Sequence, residues 1–305
     1  MSTTATTSLA PRRRQARSTV YVARAADPYV GACEVLDALK FRVTGRRVFI
    51  KPNLTGAAPS ENGLTVDVGV VRAVLERLVD CPVVTIAESC SRTDQAYARL
   101  GYQDLLKQYP NLRLLDMRNS QIVWKPIPRP YHTREMPFAA EIFEHDYFVN
   151  IAKLKTHSLA GVTLCMKNIF GCVPTRKQKL MYHPFIRKAV LDMNQIVPSD
   201  FCLVDGVWGN EFDEVQSTPK QAGVVVGGED IIGVDAAAAA AMGIDVGKID
   251  TYRLAEELYG PCEVTVTGPG AEASTRFRQG CLFSTRLRYV KESLASLCYR
   301  AANRH

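Results

Sequence analysis

Short apolar runs alternate along this chain with longer segments whose apolar residues recur every three or four positions, and that alternation predicts an α/β architecture. VYVARAAD (20–27), RRVFIKPNL (46–54), VVTIAES (83–89), LRLLDM (112–117), the run 147–151, FCLVDG (201–206), AGVVVGGED (222–230) and CEVTVTG (262–268) read as strands. Between them lie periodic segments that read as helices: 30–41, 66–80, 94–109, 159–171, 184–197, the alanine run after Asp235, 251–260 and 283–304. In the second of these, Val71, Val74, Leu75 and Leu78 fall on one helical face. Strand–helix alternation of this kind calls for a mixed or mostly parallel central sheet with helices on both faces. The passage KPIPRPYHTREMPF (125–138) fits neither period and reads as an irregular hairpin or a lid, with His132 and His145 exposed and inert.

With 305 residues, 47% of them hydrophobic, the chain can fill one large α/β domain or two joined lobes. We divide it into a disordered basic leader (1–18), a single α/β catalytic domain (19–270) and a helical extension (271–305). The leader is Ser/Thr-rich and then basic, with no apolar core for a secretory signal. No run is long and apolar enough for a membrane span, since Asp235 and glycines interrupt the richest one. Nine cysteines show no CxxC pair or cluster spacing, so we expect reduced thiols in a cytoplasmic protein, with no bound metal and no cofactor. Neither GxGxxG nor GxxxxGK[ST] occurs, which removes the usual dinucleotide and P-loop sites.

Charge changes the picture most. The chain is +7 overall, yet between Asp146 and Asp192 there is no acidic residue and there are eight Lys and Arg, so the rest of the chain sums to about −1. A concentrated cationic segment wants an anion. The apolar run 147–151 is expected to be a buried strand that stops where Lys153-Leu154-Lys155-Thr156-His157 begins, placing that motif beyond a carboxyl strand end, where ligands of open α/β sheets bind. The helix expected from Leu159, closed by Gly171 in the left-handed conformation, would add free amides to an anion cradle. Lys155, His157, His183 and Asp205 are the candidate catalytic residues. Lys51, Asn53, Glu88, Lys153, Lys167, Asn168, Arg176 and Asp235 are candidates for substrate contact, Asp235 serving equally well as a helix cap.

The order FIKPNL, TIAES, FVNIAKLKTHSLAGVTLCMKNIFG, a following His before a helix, LVDG and GVDAAAAAAMG resembles the domain-of-unknown-function family 362 over most of residues 45–260. The resemblance implies a mixed α/β fold and a shared basic site and supplies no reaction. Some members carry a ferredoxin-like cluster domain, whose Cys array this chain lacks. Families of this kind also occur among natural-product enzymes. An aziridine-forming synthase that expels sulfate would need such a site, although no residue pattern here is diagnostic of one.

Three readings follow. The first is an enzyme, a lyase or cyclase on a small anionic substrate, in which an elimination or internal displacement expels an oxyanion such as sulfate or phosphate and the cations stabilise the leaving charge. In it a histidine, titrating at about 6.5, moves a proton, and Asp205 orients an imidazole or takes a proton from a substrate amine. The second is an iron–sulfur or other cofactor-dependent oxidoreductase. The third is a binding module for an acidic carrier protein, which could also present the substrate to the enzyme of the first reading. The segment has few aromatics and no reader motif, so neither nucleic acid nor membrane is expected as a partner, whereas self-association is compatible with everything above.

Overall fold

The aliphatic runs form strands because their residues are buried on both sides, and a computed structural model, which describes residues 14–280 and 282–302, shows how they assemble. β1 (Arg17–Arg24) leads to Asp27, whose side chain caps α1 (Pro28–Ala38) by accepting from Val30 N–H. β2 (Arg47–Pro52), α2 (Val68–Leu75, capped by Asp67) and β3 (Val83–Glu88) follow. The single helix expected over 94–109 is two, α3 (Thr93–Arg99) and α4 (Tyr102–Gln108), because Gly101 sits at φ 82° and turns the chain between them. After β4 (Leu112–Asp116), the Pro-rich passage makes an antiparallel ribbon of β5 (Ile122–Pro126) and β6 (Glu135–Ala139). It is a hairpin whose tip is tied down, since Asp192 accepts from the amides of Tyr131, His132 and Thr133. Neither histidine of this region is inert in the structure. His132 stacks on Phe185 with centroids 4.4 Å apart, and His145 bonds Thr85 and the Glu141 carbonyl.

The central part runs β7 (Tyr147–His157), β8 (Gly161–Thr163), α5 (Cys165–Asn168), a 3-10 turn, α6 (Arg176–Tyr182), α7 (Ile186–Asn194) and β9 (Phe201–Asn210). β10 (Pro219–Gly228), α8 (Ile231–Ala241), α9 (Asp250–Tyr259), β11 (Glu263–Thr267) and α10 (Leu282–Ala302) complete it. The sheet has nine strands in the order β11-β1-β10-β9-β7-β2-β3-β4, with β8 paired to β7. Along that path every strand but β10 points the same way. The fold is therefore the mixed, mostly parallel α/β sheet the pattern called for.

Strand alternation builds two cores, one on each face. Val48, Ile50, Val84, Ile86 and Val149 face α1 and α2, whereas Phe49, Ala152, Val204 and Val226 face the side covered by α7 and α8. Of the expected leader, residues 1–13 lie outside the described residues; Arg14 forms a two-bond ion pair with Asp230 at 2.7 and 2.8 Å, and β1 begins at Arg17. Of the expected extension, Cys281 and residues 303–305 lie outside them, and α10 packs on α6. Among the described residues no helix is long and apolar enough to cross a membrane.

Candidate functional site

β7 outruns its neighbours. Its pairing with β2 ends at Pro52 opposite Ile151, so Lys153–His157 extend past the carboxyl ends of β2 and β3. The motif is thus the last part of the strand, not a loop beyond it, and Lys153 and Lys155 alternate there with buried Leu154 and Thr156.

The lysines it carries have different partners. Lys153 and Asp205 are both fully buried and bonded at 2.8 Å, and Asp205 also accepts from Asp67 N–H at 2.9 Å. This corrects two expectations: Lys153 is spent on a carboxylate rather than on a substrate, and Asp205 orients a lysine rather than an imidazole. Lys51 is similarly paired with Glu88 at 2.6 Å, and the carboxylate takes further bonds from Leu54 and Ser89 N–H. Gly171 packs on this pair. A Cβ there would stand 2.5 Å from Lys51 Cε, and its φ is not positive, so its role is close approach rather than the left-handed helix end expected of it.

Lys155 has neutral hydrogen-bond partners. Its ammonium donates to Asn53 Oδ1 (2.8 Å), Thr55 Oγ1 (2.9 Å) and Leu64 C=O (3.0 Å). Burial, and then the nearby charge of Lys167, push its pKa well below the ordinary lysine value. Asn53 is aimed by a chain of amides, since it donates to Asn168, which donates in turn to Asn150 and to Lys51 C=O.

These groups border a cleft of about 510 Å³ into which Lys51, Lys155, Lys167, Asn168, Arg176 and His183 all face, together with Asn53 and Glu88. Sequence reasoning missed Ser89, Arg118, Glu214 and Glu292 in its walls, and counted Lys179 in the basic segment without giving it a contact. Lys179 Nζ donates to Ser89 Oγ (2.7 Å) and Ser89 C=O (2.9 Å). Burial lowers it to about 8; Glu88 opposes that, and Lys51 and Lys167 add to it. Arg176, exposed at the start of α6, is held at the rim by the Thr175–Gln178 capping box.

The segment after His157 differs from expectation. Instead of a helix, Leu159 and Ala160 form a tight turn into β8, and both their amides donate to His157 Nδ1, at 3.0 and 3.1 Å. The amides assigned to an anion are used by the imidazole. Glu214, from the loop after β9, accepts from Ser158 N–H and Oγ and comes to 3.6 Å from His157 Nδ1. His183 lies 5.5 Å from His157 between ring centroids, its Nδ1 hydrogen-bonded to Glu292 of α10.

Asp235 neither caps its own helix, which Asp230 does through Gly233 N–H, nor reaches the cleft. It accepts from Cys165 N–H (2.7 Å), Met166 N–H (2.9 Å) and Tyr252 OH (2.8 Å), and so seats α5, which carries Lys167 and Asn168. Burial pushes its carboxyl up to about 7 against the pull of those donors.

Among known proteins, the family model described as a domain of unknown function (DUF362) matches residues 48–240. All the predicted site residues lie inside that span, while Glu292 lies beyond it. A thylakoid-associated protein of Synechocystis sp. is 25% identical over 248 residues, covering 74% of this chain and 72% of its own. The lactate racemase apoprotein of Thermoanaerobacterium thermosaccharolyticum aligns at 12% identity and a TM-score of 0.47, over 76% of this chain. The chain spans 58% of the length of that structure.

Proposed function

This chain belongs to the domain-of-unknown-function family DUF362, and from that premise, which supplies no reaction, we propose that it is an enzyme acting on a small anionic substrate. The observation that carries the reading is the gathering of Lys155, Lys167, Arg176 and Lys179 around one cleft at the carboxyl edge of β2, β3 and β7. Lys51 belongs to the same wall but is neutralised by Glu88. The reaction class this suits is polar elimination or internal displacement with loss of a sulfate- or phosphate-like oxyanion. Charge builds on the departing oxygens in the transition state, and fixed cations in a partly dry cleft stabilise it more there than in the ground state. Displacement of sulfate by an amine of the same molecule, which closes an aziridine, is one member of the class. The exposed cations Arg176 and Lys177 extend the positive field to the rim, where an acidic carrier protein would dock with a tethered substrate. We place the activity in the cytoplasm, where the eight described cysteines, all free thiols, stay reduced.

Crystals soaked in sulfate test the reading. It expects an anion within hydrogen-bond reach of Lys167, Arg176 and Lys179. Sulfate found elsewhere on the molecule and not in this cleft would remove it.

A further inference from the structure

We propose that the outward face of α10 is a docking site for an amphipathic helix of another protein, apolar along its seam and acidic at its flanks. The inference stands on α10 and does not depend on the leaving-group reading. α10 packs against α6 and the turn His183–Phe185. Its inner face carries Glu292, which holds His183 Nδ1, and buried Ser296, whose hydroxyl donates to Met181 C=O at 3.3 Å.

The opposite face carries Leu287, Val290, Leu294 and Leu297, each between 53% and 63% exposed. A contiguous apolar stripe of this kind marks an interaction site, whereas exposed apolar side chains scattered singly need no explanation. The steps between the four are three, four and three residues, which makes Leu287 and Leu294 a positions and Val290 and Leu297 d positions of a heptad. At about 100° per residue they lie within an arc of roughly 80°. That is the narrow seam of a coiled coil, not the broad apolar face with which a helix lies in a membrane surface.

Charge selects the partner. Exposed Arg286 stands at the g position before Leu287 and exposed Lys291 at the e position after Val290, one on each side of the stripe. Residues at e and g set partner choice by pairing across the seam. A parallel second copy would bring Arg286 against Lys291, and an antiparallel one centred on the stripe would bring Lys291 against Lys291. Both arrangements repel, so α10 selects against itself and for acidic flanks. Residues 1–13 do not supply the cover either, since Met1 and Leu9 are their only large apolar side chains and they end in Arg12 and Arg13. Because Glu292 of the same helix lines the cleft, the partner docks beside it.

The full chain is titrated, by fluorescence anisotropy, into a labelled three-heptad peptide with Leu at a and d and Glu at e and g. The wild type should bind one equivalent, more weakly as salt is raised. Leu294→Asp, at an exposed position, should weaken binding more than about tenfold with circular dichroism unchanged, and Lys291→Glu about tenfold. The same peptide with Lys at e and g should not bind. Failure of the acidic peptide to bind, or equal binding by Leu294→Asp or of the Lys peptide, would overturn the proposal. Two rival outcomes would overturn it as well. Capture by phosphatidylglycerol vesicles with no peptide bound assigns the stripe to a membrane, and a wild-type dimer in sedimentation that Leu294→Asp dissolves assigns it to a second copy. Sulfate affinity should be the same in Leu294→Asp and wild type, so loss of the proposed function and loss of the docking site are read separately.

Discussion

At the scale of single residues, four lysines of one cluster occupy three electrostatic situations. Lys153 and Lys51 neutralise Asp205 and Glu88, Lys155 is buried among neutral acceptors, and Lys179 is lowered to about 8. Removing one partner of a fully buried pair leaves the other charge uncompensated. Asp205→Asn should therefore cost about 3–5 kcal/mol in urea unfolding, the range for breaking a buried ion pair. A loss below about 1 kcal/mol, the worth of an exposed pair, would contradict the structural role given to it. Gly171→Ala would place a methyl against a lysine locked by Glu88, and overpacking of that kind costs about 1–3 kcal/mol. An unchanged denaturation midpoint would show that the ion pair has slack. Lys51, Lys153, Lys155 and Glu88 were legible in the sequence, since type and strand-end position suffice to nominate them. Their pairings were not: His183 and Glu292 are 109 residues apart, and no local pattern ties them.

At the scale of elements, the length of β7 and the seating of α5 decide the site. The reading of 159–171 as one helix failed for a physical reason. Leu159, Val162, Leu164, Cys165 and Met166 are all buried, and in a segment buried throughout, periodicity does not separate turn, strand and helix. Gly101 was visible in the sequence, but its positive φ, and hence the break between α3 and α4, was not. Asp235 holds the two amides that begin α5 and carries a carboxyl raised to about 7, mainly by burial. The folded state therefore binds more protons than the unfolded chain from the unfolded carboxyl pKa of about 3.9 upward. This contribution to stability is complete below that value and is lost as pH rises through about 7. Urea midpoints at pH 5 and pH 8 should fall with pH in the wild type and fall less in Asp235→Asn. Equal slopes would mean that the three donors keep the group ionised throughout.

At the scale of the whole molecule, the alternation of apolar runs and periodic segments foretold the α/β class and the order of most elements. Sheet order was beyond it. That β10 runs against its neighbours and seats β1 beside it follows from long-range pairing such as Val22 opposite Val226, which leaves no mark on local sequence. Localised charge was legible, and the fold turns it into one cleft, because β7 extends past β2 and β3 while α5 and α6 close over the gap.

The central claim is that these cations act together on an anion, and sulfate affinity measured by calorimetry against pH tests it most directly. Binding should be strongest below pH 8 and weaken as pH rises through about 8, where Lys179 loses its proton. Lys179→Met should bind about tenfold more weakly at pH 6.5, a loss of about 1.4 kcal/mol, and lose that pH step. Equal affinity in wild type and Lys179→Met across the range, or no sulfate binding at any pH, would contradict the account.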